Sequence, residues 1–275
     1  MGKKYLYLST HGMTMRYVMF AWTKQVIKAL GYLTPFLFAL ISVLTVPLSF
    51  AGQSTYEEYK NRGIEYATKG KFQQAIEELD KAIELAPNDA KCYAVRGFIY
   101  EKKGNYDEAI FDLTRAITID PKADDCYNMR GIVYRDKGDA IRAMSDFTRA
   151  IEINPRQYEA RNNRGEYYLE KGDYEKAIAE FNAALRIKSD YVSPYYNRGL
   201  AYANSGQLIQ VISDFSKAIR INPDLMKAYS NRALAYYHTK EYDKSWADVY
   251  KVQDLGYKMT PEFMYNLRKA SGRDR

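Results

Sequence analysis

Histidine is nearly missing from this sequence: His11 and His238 are the only two in 275 residues. A base–nucleophile pair or a metal cluster needs more such groups, or paired carboxylates in a closed pocket. The glycines stand singly, so no phosphate-cradling loop is predicted. Acidic residues are absent from 1–51, where Lys3, Lys4, Arg16, Lys24 and Lys28 lie. Beyond them 36 basic residues face 34 acidic ones, and the formal charge of +7 falls to about +2. A domain so close to neutral lacks the electrostatic footprint of phosphate binding, which argues against nucleic acid. Enzymatic activity, cofactors and metals are all predicted absent, and His238 is expected at the surface.

No charge occurs between Ala29 and Tyr56, and Leu33–Phe50 is the apolar heart of that stretch. Basic residues precede it, Pro47 would break a helix within it, and Ser49 and Ala51 have the spacing a signal peptidase reads. Residues 1–51 therefore read as a cleaved signal peptide or an uncleaved anchor of the membrane through 29–50. Eighteen residues with Pro35 and Pro47 barely span a bilayer of about 30 Å. Met13, Met15 and Met19 are alternative starts. Both readings export the remainder to the periplasm or the exterior. No cysteine follows to carry a lipid.

What is abundant is tyrosine, 27 residues of it, and the reason is a repeat. Gly63, Gly97, Gly131, Gly165 and Gly199 recur every 34 residues, with Ala233 in the sixth place. Arg62, Arg96, Arg130, Arg164, Arg198 and Arg232 precede them, and Tyr66, Tyr100, Tyr134, Tyr168, Tyr202 and Tyr236 follow three residues later. Ala75, Ala109, Ala143 and Ala177 keep the same period, as do Ala82, Ala116, Ala150, Ala184 and Ala218, while Pro87, Pro121, Pro155 and Pro223 close four units. Each unit holds two helical periodicities separated by a turn such as Lys137-Gly138-Asp139. The glycine is predicted to let the two helices approach, and Tyr127, Tyr134 and Phe147 to fill space between units. One such hairpin cannot bury its apolar face alone, so the units must stack. Cys92 and Cys126 occupy equivalent places one unit apart. Helices lie about 8–10 Å apart and a disulfide needs Cα atoms within about 7 Å, so both are predicted to be small buried residues with free thiols.

These columns resemble the tetratricopeptide repeat (TPR) family. The resemblance implies an all-α, right-handed superhelical solenoid of six helix-turn-helix units over 56–259, with boundaries 56–89, 90–123, 124–157, 158–191, 192–225 and 226–259. A short linker, 52–55, precedes it. At 260–275, Thr260-Pro261-Glu262 reads as an N-cap, a first-turn proline and an acid, opening a solvent-facing capping helix. Phe263, Leu267 and Ala270 are predicted on its inner face. Ala140, where other units have an aromatic residue, Arg161, where five have tyrosine, and Leu208 with Val211 mark the predicted weak joints, above all the fifth unit.

The resemblance also implies a concave groove lined by the first helix of each unit. Its register gives Lys60 and Ile64, Ala94 and Phe98, Asn128 and Ile132, Asn162 and Glu166, Tyr196 and Leu200, and Ser230 and Leu234. The groove is expected to be apolar at its ends and acidic in the middle, where Glu159 and Glu170 join Glu166. Asn61, Asn163, Asn197 and Asn231 share a second column; in some family members such a ladder holds the main chain of an extended peptide, while asparagines that bond between helices would only support the fold. The carboxylate clamp of the chaperone-binding subgroup is not expected, because Ile64 replaces its asparagine and Glu166 has the wrong sign. The predicted partners are thus other proteins or peptides. A structural or self-assembling module using convex or edge surfaces is the alternative, and leaves room for oligomers.

Overall fold

The computed structural model describes residues 55–273; the leader over 1–51 lies outside them. Among the described residues the chain is helical throughout, with no strand. The first helix, α1, runs through 55–68. It is followed by α2 (Phe72–Leu85), α3 (Ala90–Lys102), α4 (Tyr106–Ile119), α5 (Asp124–Asp136), α6 (Ala140–Ile153), α7 (Tyr158–Glu170), α8 (Tyr174–Ile187), α9 (Val192–Asn204), α10 (Leu208–Ile221), α11 (Met226–His238), α12 (Tyr242–Asp254) and α13 (Pro261–Ser271). Each odd helix from α1 to α11 packs on the next even one, and each pair packs on its neighbour. In addition α3 approaches α5, α5 approaches α7, and α7 approaches α9, whereas no two even helices come as close. The odd helices therefore line the inner side of a right-handed superhelix.

The even helices are amphipathic in the simplest way. In α6, Ala143, Asp146, Phe147, Ala150 and Ile151 are buried, at the i, i+3, i+4, i+7, i+8 spacing of one face. The odd helices are covered on two sides and bury a broader, more polar set, such as Cys126, Asn128, Gly131 and Val133 of α5. Helix pairing hinges on the glycine column. A Cβ on Gly131 would lie 2.6 Å from Phe147 Cε1, and one on Gly63 would lie 2.7 Å from Leu79 Cγ. Only a bare Cα lets the large side chain sixteen residues later press against the facing backbone. The sixth unit shows the compensation: Ala233 carries the Cβ, and the residue sixteen places on is the smaller, fully buried Val249. Phe147 thus fills its own hairpin, not the space between units as its sequence position had suggested.

The turns also repeat. In five units a glycine with φ of 69–88° ends the odd helix, and the N–H of the next residue bonds the carbonyl of the period-34 tyrosine at 2.8–2.9 Å, as in Asp139 N to Tyr134 O. This is the six-to-one bond of a Schellman cap. Lys240 takes the same left-handed place in the sixth unit, with φ of 62°.

The arginine column staples helices together. Arg130 donates through Nε and Nη2 to both oxygens of Asp146 at 2.8 and 2.9 Å, and through Nη1 to Thr114 Oγ1 at 3.0 Å. One side chain on α5 thereby ties its own partner α6 to α4 of the preceding unit. Arg96, Arg198 and Arg232 repeat the bidentate grip on Asp112, Asp214 and Asp248. Each carboxylate lies sixteen residues after its arginine and is buried, a placement tolerable only because the guanidinium satisfies both oxygens. The fourth unit departs. Arg164 reaches Glu180 through one nitrogen, leaving Arg164 Nε and Glu180 Oε2 without hydrogen bonds, and Arg161 stands 3.6 Å from that oxygen.

Cys92 and Cys126 are free thiols buried in the core, and burial raises them to about 12 and about 11. At neutral pH both are protonated, so neither is a reactive nucleophile. Helix α13 begins as expected, with Thr260 Oγ1 accepting from Phe263 N. Its inner face is different from the predicted one. Phe263 and Leu267 are buried, but Ala270 is exposed and Ser271 completes the stripe, accepting a 3.0 Å bond from Trp246 Nε1. Steps of four residues keep 263, 267 and 271 in line, and Ala270 lies off it.

Candidate peptide-binding groove

The predicted groove residues all lie on odd helices, and the structure sorts them into three clusters and one outlier. The outlier is Lys60 on α1. Its ammonium bonds Glu57 at 2.8 Å and Asp89 at 3.4 Å and sits 4.7 Å from the Tyr56 ring centre. It belongs to a local ion pair and not to the asparagine line.

The first cluster is a pocket of about 440 Å³ between α3, α5 and α7. Its apolar wall is Phe98, Leu113, Met129, Ile132 and Val133, with Phe98 forming an exposed lip. Asn128 and Asn163 line it as well, although each is more than nine-tenths buried. Asn163 Nδ2 donates to Asn128 Oδ1 at 2.8 Å. That bond occupies one half of each amide. Asn128 Nδ2 and Asn163 Oδ1 make no hydrogen bond among the described residues, so the pair at the pocket wall keeps one donor and one acceptor unused. The rim carries Glu101, Asp125 and Glu159 against Lys102. Tyr191 closes one side, edge-on to Tyr158 at 5.3 Å, and burial raises its phenol.

The second cluster surrounds Glu166. Its Oε1 accepts from Asn162 Nδ2 at 2.7 Å and Asn197 Nδ2 at 2.8 Å, and its Oε2 pairs with Arg135 Nη1 at 2.9 Å. With three donors, one of them cationic, this carboxylate is not the bare acidic centre the sequence suggested. The uncompensated acidity lies at Asp125 and Glu159, for which no ion pair occurs among the described residues. The third cluster joins α9 and α11. Asn231 Nδ2 donates to Tyr196 Oη at 3.2 Å, and the Tyr196 ring lies 5.6 Å from Phe215. Burial raises the Tyr196 phenol against the opposing bond from Asn231. Beside it Leu200, Leu234 and exposed His238 border a depression of about 540 Å³.

A rule connects the clusters. Asn163 bonds Asn128, Asn197 reaches Asn162 at 3.3 Å, and Asn231 bonds Tyr196, each crossing 35 residues to the preceding unit. The ladder thus spends its amide N–H groups on holding neighbouring odd helices, the supporting role the sequence left open. The side-chain carbonyls of Asn163, Asn197 and Asn231 keep their acceptor capacity. Asn61, at the head of the column, is exposed and makes no such bond. Asp125 and Tyr191 were missed by the sequence reading, because they fall outside the two columns it followed; Met129 stands in the asparagine column, which it interrupts.

Comparison with known proteins agrees with this architecture. TPR repeat models match residues 63–104 and 165–206, and tetratricopeptide repeat models match 90–123, 124–157, 147–179 and 192–225. No curated protein matches the chain. Among solved structures, YrrB, described as a TPR protein with an unusual peptide-binding site, is 27% identical with a TM-score of 0.51, over 65% of this chain and 95% of that one. The MamA protein is 26% identical with a TM-score of 0.53, over 64% of this chain and 96% of that one. PilF of Pseudomonas aeruginosa, at 14% identity, shares the fold with a TM-score of 0.68, over 82% of this chain and all of that one. From its six stacked hairpins and these matches together, the chain belongs to the tetratricopeptide repeat family.

Proposed function

We propose that this protein is a non-catalytic scaffold that captures an extended segment of another protein along its odd helices. The observation that carries this reading is the Asn128–Asn163 pair. Two amides at a pocket wall that bond each other and keep one donor and one acceptor unbonded match the N–H and C=O of a peptide group. YrrB, with its described peptide-binding site, lends support by similarity. Replacing both residues by leucine removes the polar pair while keeping side-chain bulk. The Asn128→Leu/Asn163→Leu protein should retain its helicity and lose segment binding by isothermal titration; undiminished binding would refute the proposal.

The site of action we propose is the exported side of a membrane, because a basic leader precedes an apolar stretch in 1–51. No helix among the described residues is long and apolar enough to cross a membrane; the anchor we propose for an uncleaved leader is 29–50. N-terminal sequencing of the protein isolated from the envelope would return a start near Gly52 for a cleaved signal and an intact leader for an anchor; recovery from the cytoplasm alone would contradict export. One observation favours the second reading, a structural module working through its outer surface. Ile141 and Ile209 hold the same place in the third and fifth units and are 82% and 80% exposed.

A further inference from the structure

We infer that the pocket between α3, α5 and α7 selects its guest: it takes one large apolar side chain, leucine-like or aromatic, that lies next to a lysine or arginine in the captured segment. The inference rests on the groove being a peptide site, and adds which peptide.

Three observations bear on the choice. The pocket volume of about 440 Å³ lies near the lower end of the range for small-ligand sites, about 300–1,000 Å³. Its wall is aliphatic and aromatic, with Leu113 and Val133 fully buried at the back and Phe98 exposed at the lip. An open recess of this size admits a large apolar side chain together with its adjoining main chain, for which Asn128 and Asn163 in the lining offer a donor and an acceptor.

The charges at the mouth do not cancel. Lys102 is already engaged: its ammonium pairs with Glu101 at 3.0 Å and lies 5.2 Å from the Phe98 ring centre. Asp125 Oδ1 accepts only a neutral bond, from Gln157 Nε2 at 2.6 Å. Glu159 has no ion-pair partner among the described residues. Two carboxylates thus flank an apolar recess with no direct ion pair among the described residues, and Lys188, which feels Glu159, is held by the hydroxyl and ring of Tyr158. An acidic guest, or a chain ending in a free carboxylate at this point, would be repelled, and a basic neighbour of the anchoring residue would be drawn in. Glu166 does not add to this field, since Arg135 pairs with it.

The test begins with selection of displayed random peptides of about twelve residues, some 40 Å when extended, on the purified full chain. The expected consensus is an apolar residue next to lysine or arginine. A synthetic consensus peptide is then titrated against the native protein and an Asp125→Asn/Glu159→Gln variant, which keeps the shape and hydrogen-bonding capacity of both positions. Affinity should fall about tenfold in the variant and lose its salt dependence, while a norleucine-for-lysine peptide should bind both proteins alike. Unchanged circular dichroism and melting temperature would exclude misfolding. Selected peptides that carry no apolar–basic pair yet lose binding in Asn128→Leu/Asn163→Leu would overturn the selectivity and leave the groove intact. Peptides that bind regardless of Asn128 and Asn163, or a selection that enriches none, would overturn both.

Discussion

At the scale of single residues, shape and backbone conformation dominate. The pairing of Gly131 with Phe147, and of Ala233 with Val249, amounts to a substitution experiment within one chain. Gly131→Ala places a methyl group 2.6 Å from a ring carbon, and such overpacking costs about 1–3 kcal/mol. Adding Phe147→Val copies the sixth unit and should recover part of that loss, so denaturant unfolding of the double variant should show a favourable coupling; strict additivity of the two changes would refute the packing account. Lys240 is the converse case. Its positive φ sits where five other units have glycine, and a non-glycine residue there costs about 1–2 kcal/mol. Lys240→Gly should therefore raise stability by about 1 kcal/mol, less the entropy glycine adds to the unfolded chain. The glycine column was legible in the sequence because close approach is written in a single residue type. The acids that the arginines grip were not, since their column mixes Glu78 and Glu180 with four aspartates and lies on the next helix.

At the scale of helices, stability depends on how well each element is tied to its neighbours. Arg130 holds three helices through one guanidinium. Asp146→Ala would strand that charge, and breaking a buried pair costs about 3–5 kcal/mol, with the lower end expected because Arg130 can reach water. Asp146→Asn should cost less, because it keeps one acceptor; equal losses for the two variants would show that packing and not the staple matters. The fifth unit is less well secured. Its α10 starts at Gln207 with no side-chain cap and no acid in the first turn, whereas Asp139 and Asp173 cap α6 and α8. An N-cap contributes about 1 kcal/mol. Amides of 192–225 should accordingly exchange before those of the third and fourth units in a hydrogen-exchange experiment, and the prediction fails if that segment is the best protected. The helices and their number were readable from periodicity alone. The bonds joining each odd helix to its predecessor were not, because they link two columns of mixed composition 35 residues apart, and Asn163 meets Asn128 only after the units stack.

At the scale of the whole molecule, stacking hairpins with closely spaced odd helices leaves a long inner surface whose polar groups are partly committed to the fold. The groove residues foreseen from the repeat register divide accordingly. Asn128 and Asn163 bond each other at the pocket wall, Asn162 and Asn197 hold Glu166, and Lys60 serves a separate ion pair. The outer surface offers isolated apolar residues instead, Ile141 foremost. The two surfaces can be interrogated in one experiment by placing a photo-crosslinking amino acid at Ile132 in the pocket, or at Ile141 on the opposite side, in the intact protein within its own cell. The account predicts adducts to partner proteins from position 132 that disappear when Asn128→Leu/Asn163→Leu is combined with the probe, and none from position 141. Adducts from 141 with silence at 132 would contradict it and give the outer surface the binding role.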